Sequence, residues 1–171
     1  MKVIKRKSVF AVFLALSLVW MIVIFGFSSN NAEDSTVQSN GVTQLFARIF
    51  IPGFDDLPQE QQQEIIARYD GPVRKLAHFV SYAVLGFLAC GTAMTCPCGK
   101  IKEYVLPIVS TAAGILFAVS DEYHQTFVDG RAGQPKDVFI DSAGVICGTA
   151  LMIVVLMIAV RKINKINVKK A

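Results

Sequence analysis

Between two long apolar runs of this sequence lies a polar stretch, Asp121 to Asp141, reading DEYHQTFVDGRAGQPKDVFID. It holds the acids Asp121, Glu122, Asp129, Asp137 and Asp141, the bases Arg131 and Lys136, and His124, one of the chain's two histidines. A second polar knot, Arg74-Lys75-Leu76-Ala77-His78, opens another apolar run. Imidazole beside carboxylate can take and return a proton in general acid–base catalysis. His78, His124, Asp121 and Glu122 are therefore the candidate catalytic residues. Imidazole and carboxylate also suit zinc or manganese, but two histidines so far apart in sequence are a much weaker signature than a compact HExxH, and no metal is expected. Guanidinium and ammonium groups recognise phosphate and carboxylate. Arg74, Lys75 and Arg131, with Gln125, Asp137 and Asp141 beside them, are the candidate ligand-binding residues for an anionic headgroup. A purely structural alternative stands next to both: a buried aspartate paired with Arg74, Lys75 or Arg131 can simply hold helices in register.

Such groups need a scaffold, and the composition says which kind. The 171 residues are 53% hydrophobic and only 18% charged, against about 25% charged in a soluble domain. This is the composition of a membrane protein. Val9 to Phe27 carries no charge and has about the 20 residues a spanning helix needs. A basic start followed by an apolar run also describes a signal peptide, but this run exceeds the usual apolar core and no A-x-A site follows it, so a retained helix is expected. Leu76–Met94, Tyr104–Ser120 and Val138–Val160 supply three further runs. The expected fold is an all-α membrane bundle of four transmembrane helices with a long outer loop carrying short interfacial helices. Its parts are a basic cytoplasmic segment (1–8), a first transmembrane helix (9–27), an extracytoplasmic loop (28–74), and a core of three transmembrane helices with a basic cytoplasmic tail (75–171). Within the loop, Ser28 to Gly41 reads as flexible and polar. Val42, Leu45, Phe46, Ile49 and Phe50 fall on one helical face, either packed on the bundle or lying in the membrane interface. A polar helix after Pro58 should stop near Asp70-Gly71-Pro72.

Lysine and arginine mark the cytoplasmic side. Eleven of the seventeen sit before the first run, in the 95–103 loop and in the tail from Arg161. Both termini are thus expected in the cytoplasm, with both polar knots at the outer face. Helical spacing then selects what can meet. Asp137, Asp141, Gly144 and Gly148 make one stripe, and Gly144-x-x-x-Gly148 lets another backbone approach. Arg74, His78, Ser81, Tyr82 and Leu85 make a second, and Gly114, Ala118, Asp121 and Gln125 a third, with Glu122 and His124 beside it. Cys96-Pro97-Cys98-Gly99 reads as a plain turn, since two cysteines cannot close a tetrahedral zinc site. Neither a GxGxxG nor a P-loop is present, so no nucleotide or other cofactor is expected. The basic tail reads as an inside anchor near anionic lipid rather than a nucleic-acid site.

The motifs RKLAHFVSYAVLG (74–86) and DEYHQTFVDGRAGQPKDVFIDSAGVICG (121–148) resemble those of the VanZ-like family of small bacterial membrane proteins. The resemblance covers about the last 100 residues. It places the family's characteristic residues at Arg74, Lys75, His78, Phe79 and Tyr82, and at Asp121, Glu122, His124, Gln125, Phe127, Arg131, Asp137, Asp141 and Gly144. Members often carry an acid where this chain has Ser81, which weakens any mechanism needing a carboxylate there. The resemblance implies a multi-pass protein of the bacterial plasma membrane, a cell-envelope role and lowered susceptibility to teicoplanin. Membrane lipids or lipid-linked cell-wall precursors are the expected partners, with other membrane proteins as further candidates.

Overall fold

The computed structural model describes residues 7–97, 101–131 and 133–170, except for the side chains of 32–38, 164 and 167–170. The described chain is helical throughout: α1 (Lys7–Ser28), α2 (Ala32–Phe50), a short 3₁₀ turn (Phe54–Asp56), α3 (Gln59–Thr95), α4 (Val105–Gln125) and α5 (Pro135–Lys170). Helices α1, α3, α4 and α5 are each long and apolar enough to cross a membrane. Much of their apolar surface stays exposed, as at Ile22, Leu116 and Phe139, which is what lipid-facing helices require. Two apolar clusters fix how the helices run. Ile24, Tyr82, Leu85, Ala118 and Val145 pack together, so the end of α1 meets the middle of α3, the later half of α4 and the first third of α5. Phe13, Cys90, Met94, Leu106 and Met152 form the other cluster. The start of α1, the end of α3, the start of α4 and the later part of α5 thus share the opposite end. The four spanning helices alternate in direction, and both terminal segments lie at one end.

The connection between α1 and α3 departs from expectation. Helix α2 already begins at Ala32, within the stretch expected to be a flexible loop. Its inward face carries the small residues Thr43 and Ala47, both fully buried, whereas Val42, Leu45, Ile49 and Phe50 stay exposed. Of that apolar stripe Phe46 packs on α3, while the exposed members suit the boundary between headgroups and acyl chains. Nor does α3 stop at Asp70-Gly71-Pro72. It runs unbroken from Gln59 to Thr95 with Pro72 inside it. A proline in a helix interior costs about 3 kcal/mol through its missing N–H and its clash with the preceding turn. Here Pro72 is exposed, and so is Arg68, the residue one turn back whose carbonyl loses its N–H partner. Contacts with α2 also hold the stretch helical: Ser39 donates to Asp70 and Phe46 packs on Tyr69, with ring centroids 6.5 Å apart. At the other end of the bundle, Cys98, Gly99 and Lys100 of the expected turn lie outside the described residues, as do Lys2, Lys5 and Arg6.

Candidate functional site

The site is built on the close approach of α3 and α5. Gly144 and Gly148 of α5 lie against the α3 backbone at Phe79 and Ala83, and Gly86 of α3 lies against the α5 backbone at Val145. A Cβ at Gly148 would sit 2.7 Å from the Ala83 carbonyl carbon and 2.8 Å from the Phe87 nitrogen. Only hydrogen fits there, which is the physical content of the small-residue stripe. One helical turn toward the loop end, the same approach brings polar side chains face to face. His78 Nδ1 lies 3.6 Å from Asp141 Oδ1, and Asp141 is fully buried. Among the described residues neither Asp141 oxygen accepts a hydrogen bond. One further turn outward, Lys75 Nζ pairs with Asp137 Oδ1 at 3.2 Å. Two polar pairs thus step up the α3–α5 seam, the inner one with its carboxylate fully buried and the outer one half-exposed.

Helix α4 closes the other side. Tyr82 donates its phenolic proton to Asp121 Oδ2 at 3.0 Å inside the bundle, and Asp121 Oδ1 has no partner there. Helix α4 runs on through Gln125, so Asp121, Glu122, His124 and Gln125 are helical residues and the polar stretch contracts to a short loop before Pro135. Glu122 fastens that loop by accepting the Gln134 N–H at 2.5 Å, and it also accepts from Gln125 Nε2 at 3.2 Å. Arg131 reaches back from the loop to Gln125 Oε1 at 3.1 Å and to the Ser28 carbonyl at the end of α1, 3.3 Å away. Burial, with the neighbouring Arg74 charge, pushes the Arg131 guanidinium below its ordinary value; it remains a cation at any physiological pH.

Two cavities open between these elements. The first, about 230 Å³, is lined by the apolar Ile24, Phe27, Val42 and Val73 and by Arg74, His78, Tyr82, Asp121 and Arg131, among others. The second, about 220 Å³, is lined by Asp70, Arg74, Lys75, His78, Gln134 and Asp137 among others. Arg74 and His78 belong to both and form the partition. The structure brings Arg74, Lys75, His78, Asp121, Arg131, Asp137 and Asp141 to this end of the bundle, with Glu122 and Gln125 bonded to the loop. His124 is elsewhere: its ring stacks on Phe25 with centroids 4.5 Å apart, its Nε2 lies 3.3 Å from Ser29 Oγ, and it lines neither cavity. Among the described residues no group of three or more His, Cys, Asp and Glu side chains is placed to hold a metal ion. Two contributors escaped the sequence. Asp70 holds Arg74 Nη2 at 3.4 Å and also receives Ser39 of α2; the i,i+4 spacing to Arg74 was visible, but an assumed helix end at Asp70 concealed it. The apolar lining from α1, α2 and Val73 of α3 carried no signal for a cavity beyond ordinary hydrophobicity.

The model of the family described as VanZ/LLP1 matches residues 13–157. No curated protein and no solved structure matches the chain.

Proposed function

This multi-pass membrane protein belongs to the VanZ/LLP1 family, and we propose that it binds an anionic lipid, or a lipid-linked cell-wall precursor, in a pocket opening toward the outer face of the plasma membrane. The observation that carries this is the mixed lining of the first cavity, which combines Arg74 and Arg131 with Ile24, Phe27, Val42 and Val73. A soluble anion has no use for the apolar lining, and an apolar ligand has none for two guanidiniums. A lipid carries a phosphate and an acyl chain on one molecule, and guanidinium recognises phosphate through paired charge-assisted hydrogen bonds. The pocket lies at the end opposite Lys7, Lys102, Arg161 and Lys162, which by the positive-inside rule supports an outer-leaflet pocket with both termini in the cytoplasm. Sequestering or shielding an envelope lipid there would lower susceptibility to teicoplanin.

The test is native mass spectrometry of the detergent-purified protein titrated with phosphatidylglycerol and, in parallel, phosphatidylcholine. Phosphatidylglycerol should bind preferentially, and Arg74→Ala with Arg131→Ala should weaken it by about tenfold or more, as expected for lost charge-assisted hydrogen bonds. Equal retention of both lipids by wild type and double variant would overturn the assignment. In cells, the wild type should raise the teicoplanin concentration needed for inhibition, and the same double variant at matched membrane level should not.

A further inference from the structure

The partition between the two cavities is chemically equipped for more than binding. Resting on the lipid-binding reading, we propose that the site hydrolyses or transfers an acyl ester of the bound anionic lipid, with His78 as general base and Asp141 as its positioning residue. Three observations meet at this point. His78 lines both the amphiphilic cavity and the polar one, so it stands where an acyl ester in the first would face a water, or a small hydroxyl or amine acceptor, in the second. Its Nδ1 faces Asp141, a fully buried carboxylate with no hydrogen bond to any other described residue. A carboxylate 3.6 Å behind Nδ1 favours, through its charge, the tautomer that carries its proton on Nδ1 and leaves Nε2 free to accept one. Finally, Arg74 lines the same two cavities, and its Nε is a buried donor without a hydrogen-bond partner. A spare cationic N–H beside a reacting carbonyl is what stabilises an oxyanion. Structural pairing alone would explain none of this well. A dry ion pair adds little over apolar residues of similar volume, and at membrane depth ionisable groups mark function by default.

The bonds balance without any added redox partner. His78 Nε2 takes the O–H or N–H proton of the acceptor as its heteroatom bonds to the ester carbonyl carbon. The carbonyl electron pair moves onto oxygen beside Arg74. As that pair returns, the ester C–O bond breaks and His78 passes the proton to the departing glycerol oxygen. Water yields a fatty acid and a lysolipid; another acceptor yields its acylated form and the same lysolipid.

The full-length protein in nanodiscs containing phosphatidylglycerol would be incubated with and without hydroxylamine as a small acceptor. Mass spectrometry would follow lysophosphatidylglycerol, fatty acid and fatty hydroxamate. Lysolipid should accumulate with the wild type, and His78→Gln should lose at least about a hundredfold in rate per bound lipid, the usual share of a general base. Asp141→Asn should lower turnover about tenfold or more while phosphatidylglycerol affinity stays the same, a split that a merely structural aspartate would not give. Wild type that binds phosphatidylglycerol but forms no lysolipid would overturn catalysis and leave the binding function standing. Failure to bind it would overturn both, and undiminished turnover by His78→Gln would remove the histidine from its role.

Discussion

Replacing Gly148 by alanine adds one methyl group at the tightest point of the bundle. The new Cβ would stand closest to the Ala83 carbonyl oxygen, 2.7 Å from its carbon and 2.8 Å from the Phe87 nitrogen. All three neighbours are backbone atoms of α3, so no rotamer change can relieve the clash. Ordinary contact lies near 3.5 Å, so α3 and α5 must part by roughly 1 Å. Overpacking of this kind typically costs about 1–3 kcal/mol. In a protein of this size each kcal/mol moves Tm by about 2–4 °C, so a fall of roughly 2–12 °C is expected. The chain's one tryptophan makes the assay direct. Trp20 Nε1 donates to the Ser81 carbonyl of α3 at 2.8 Å, so its fluorescence in detergent follows separation of α1 from α3 during heating. Gly26→Ala is the control: nothing lies within 4 Å of a Cβ there, and alanine in place of a helical glycine should stabilise by about 0.5–1 kcal/mol. The two substitutions are chemically identical and should move Tm in opposite directions. Equal Tm values for both would refute the close α3–α5 contact on which the whole site depends.

Two further outcomes follow from the same geometry. Tyr82→Phe removes the donor from Asp121 and leaves a buried carboxylate with no remaining hydrogen bond among the described residues; a loss of about 1–3 kcal/mol is expected, part of which should return in the Tyr82→Phe, Asp121→Ala double variant, and strict additivity in the Trp20 melting curves would deny the coupling. In a cysteine-free background, Asp129→Cys should react with a membrane-impermeant maleimide on intact cells and Lys162→Cys only after permeabilisation; the reverse pattern would place the pocket at the cytoplasmic face and sink the outer-leaflet function.

The bundle was legible because lipid imposes a simple rule: backbone groups must be satisfied within the span, so apolar length alone identifies the helices. The stripes were legible for a related reason. Spacing of three and four puts Asp137, Asp141, Gly144 and Gly148 on one face, and glycines on that face demand a neighbouring backbone. The connection between α1 and α3 was not legible, because there local signals and tertiary contacts disagree. Asp-Gly-Pro reads as a helix stop by every local rule, yet α3 passes through it with α2 docked alongside. Local preference of about 3 kcal/mol is a modest sum beside the packing of a whole helix. The same misplaced boundary hid Asp70 from the site.

The two histidines show where spacing stops being informative. His124 sits beside acids in sequence and His78 follows the bases Arg74 and Lys75, and both were candidates for proton transfer. On α4, however, Asp121 and Gln125 face inward, four residues apart, and His124, one residue short of Gln125, is turned about 100° aside by the helix. It consequently meets α1, against Phe25 and Ser29. His78 falls in phase with Tyr82 and Leu85, the buried face of α3, and so arrives at Asp141. The carboxylates of Asp121 and Glu122 are already committed, one to Tyr82 and the other to Gln134. Asp141 has only His78. Burying that carboxylate beside a single imidazole is an expensive way to join two helices that glycine packing already holds together. The cost makes physical sense if the pair faces a ligand, and the two cavities meeting at His78 give the ligand its place.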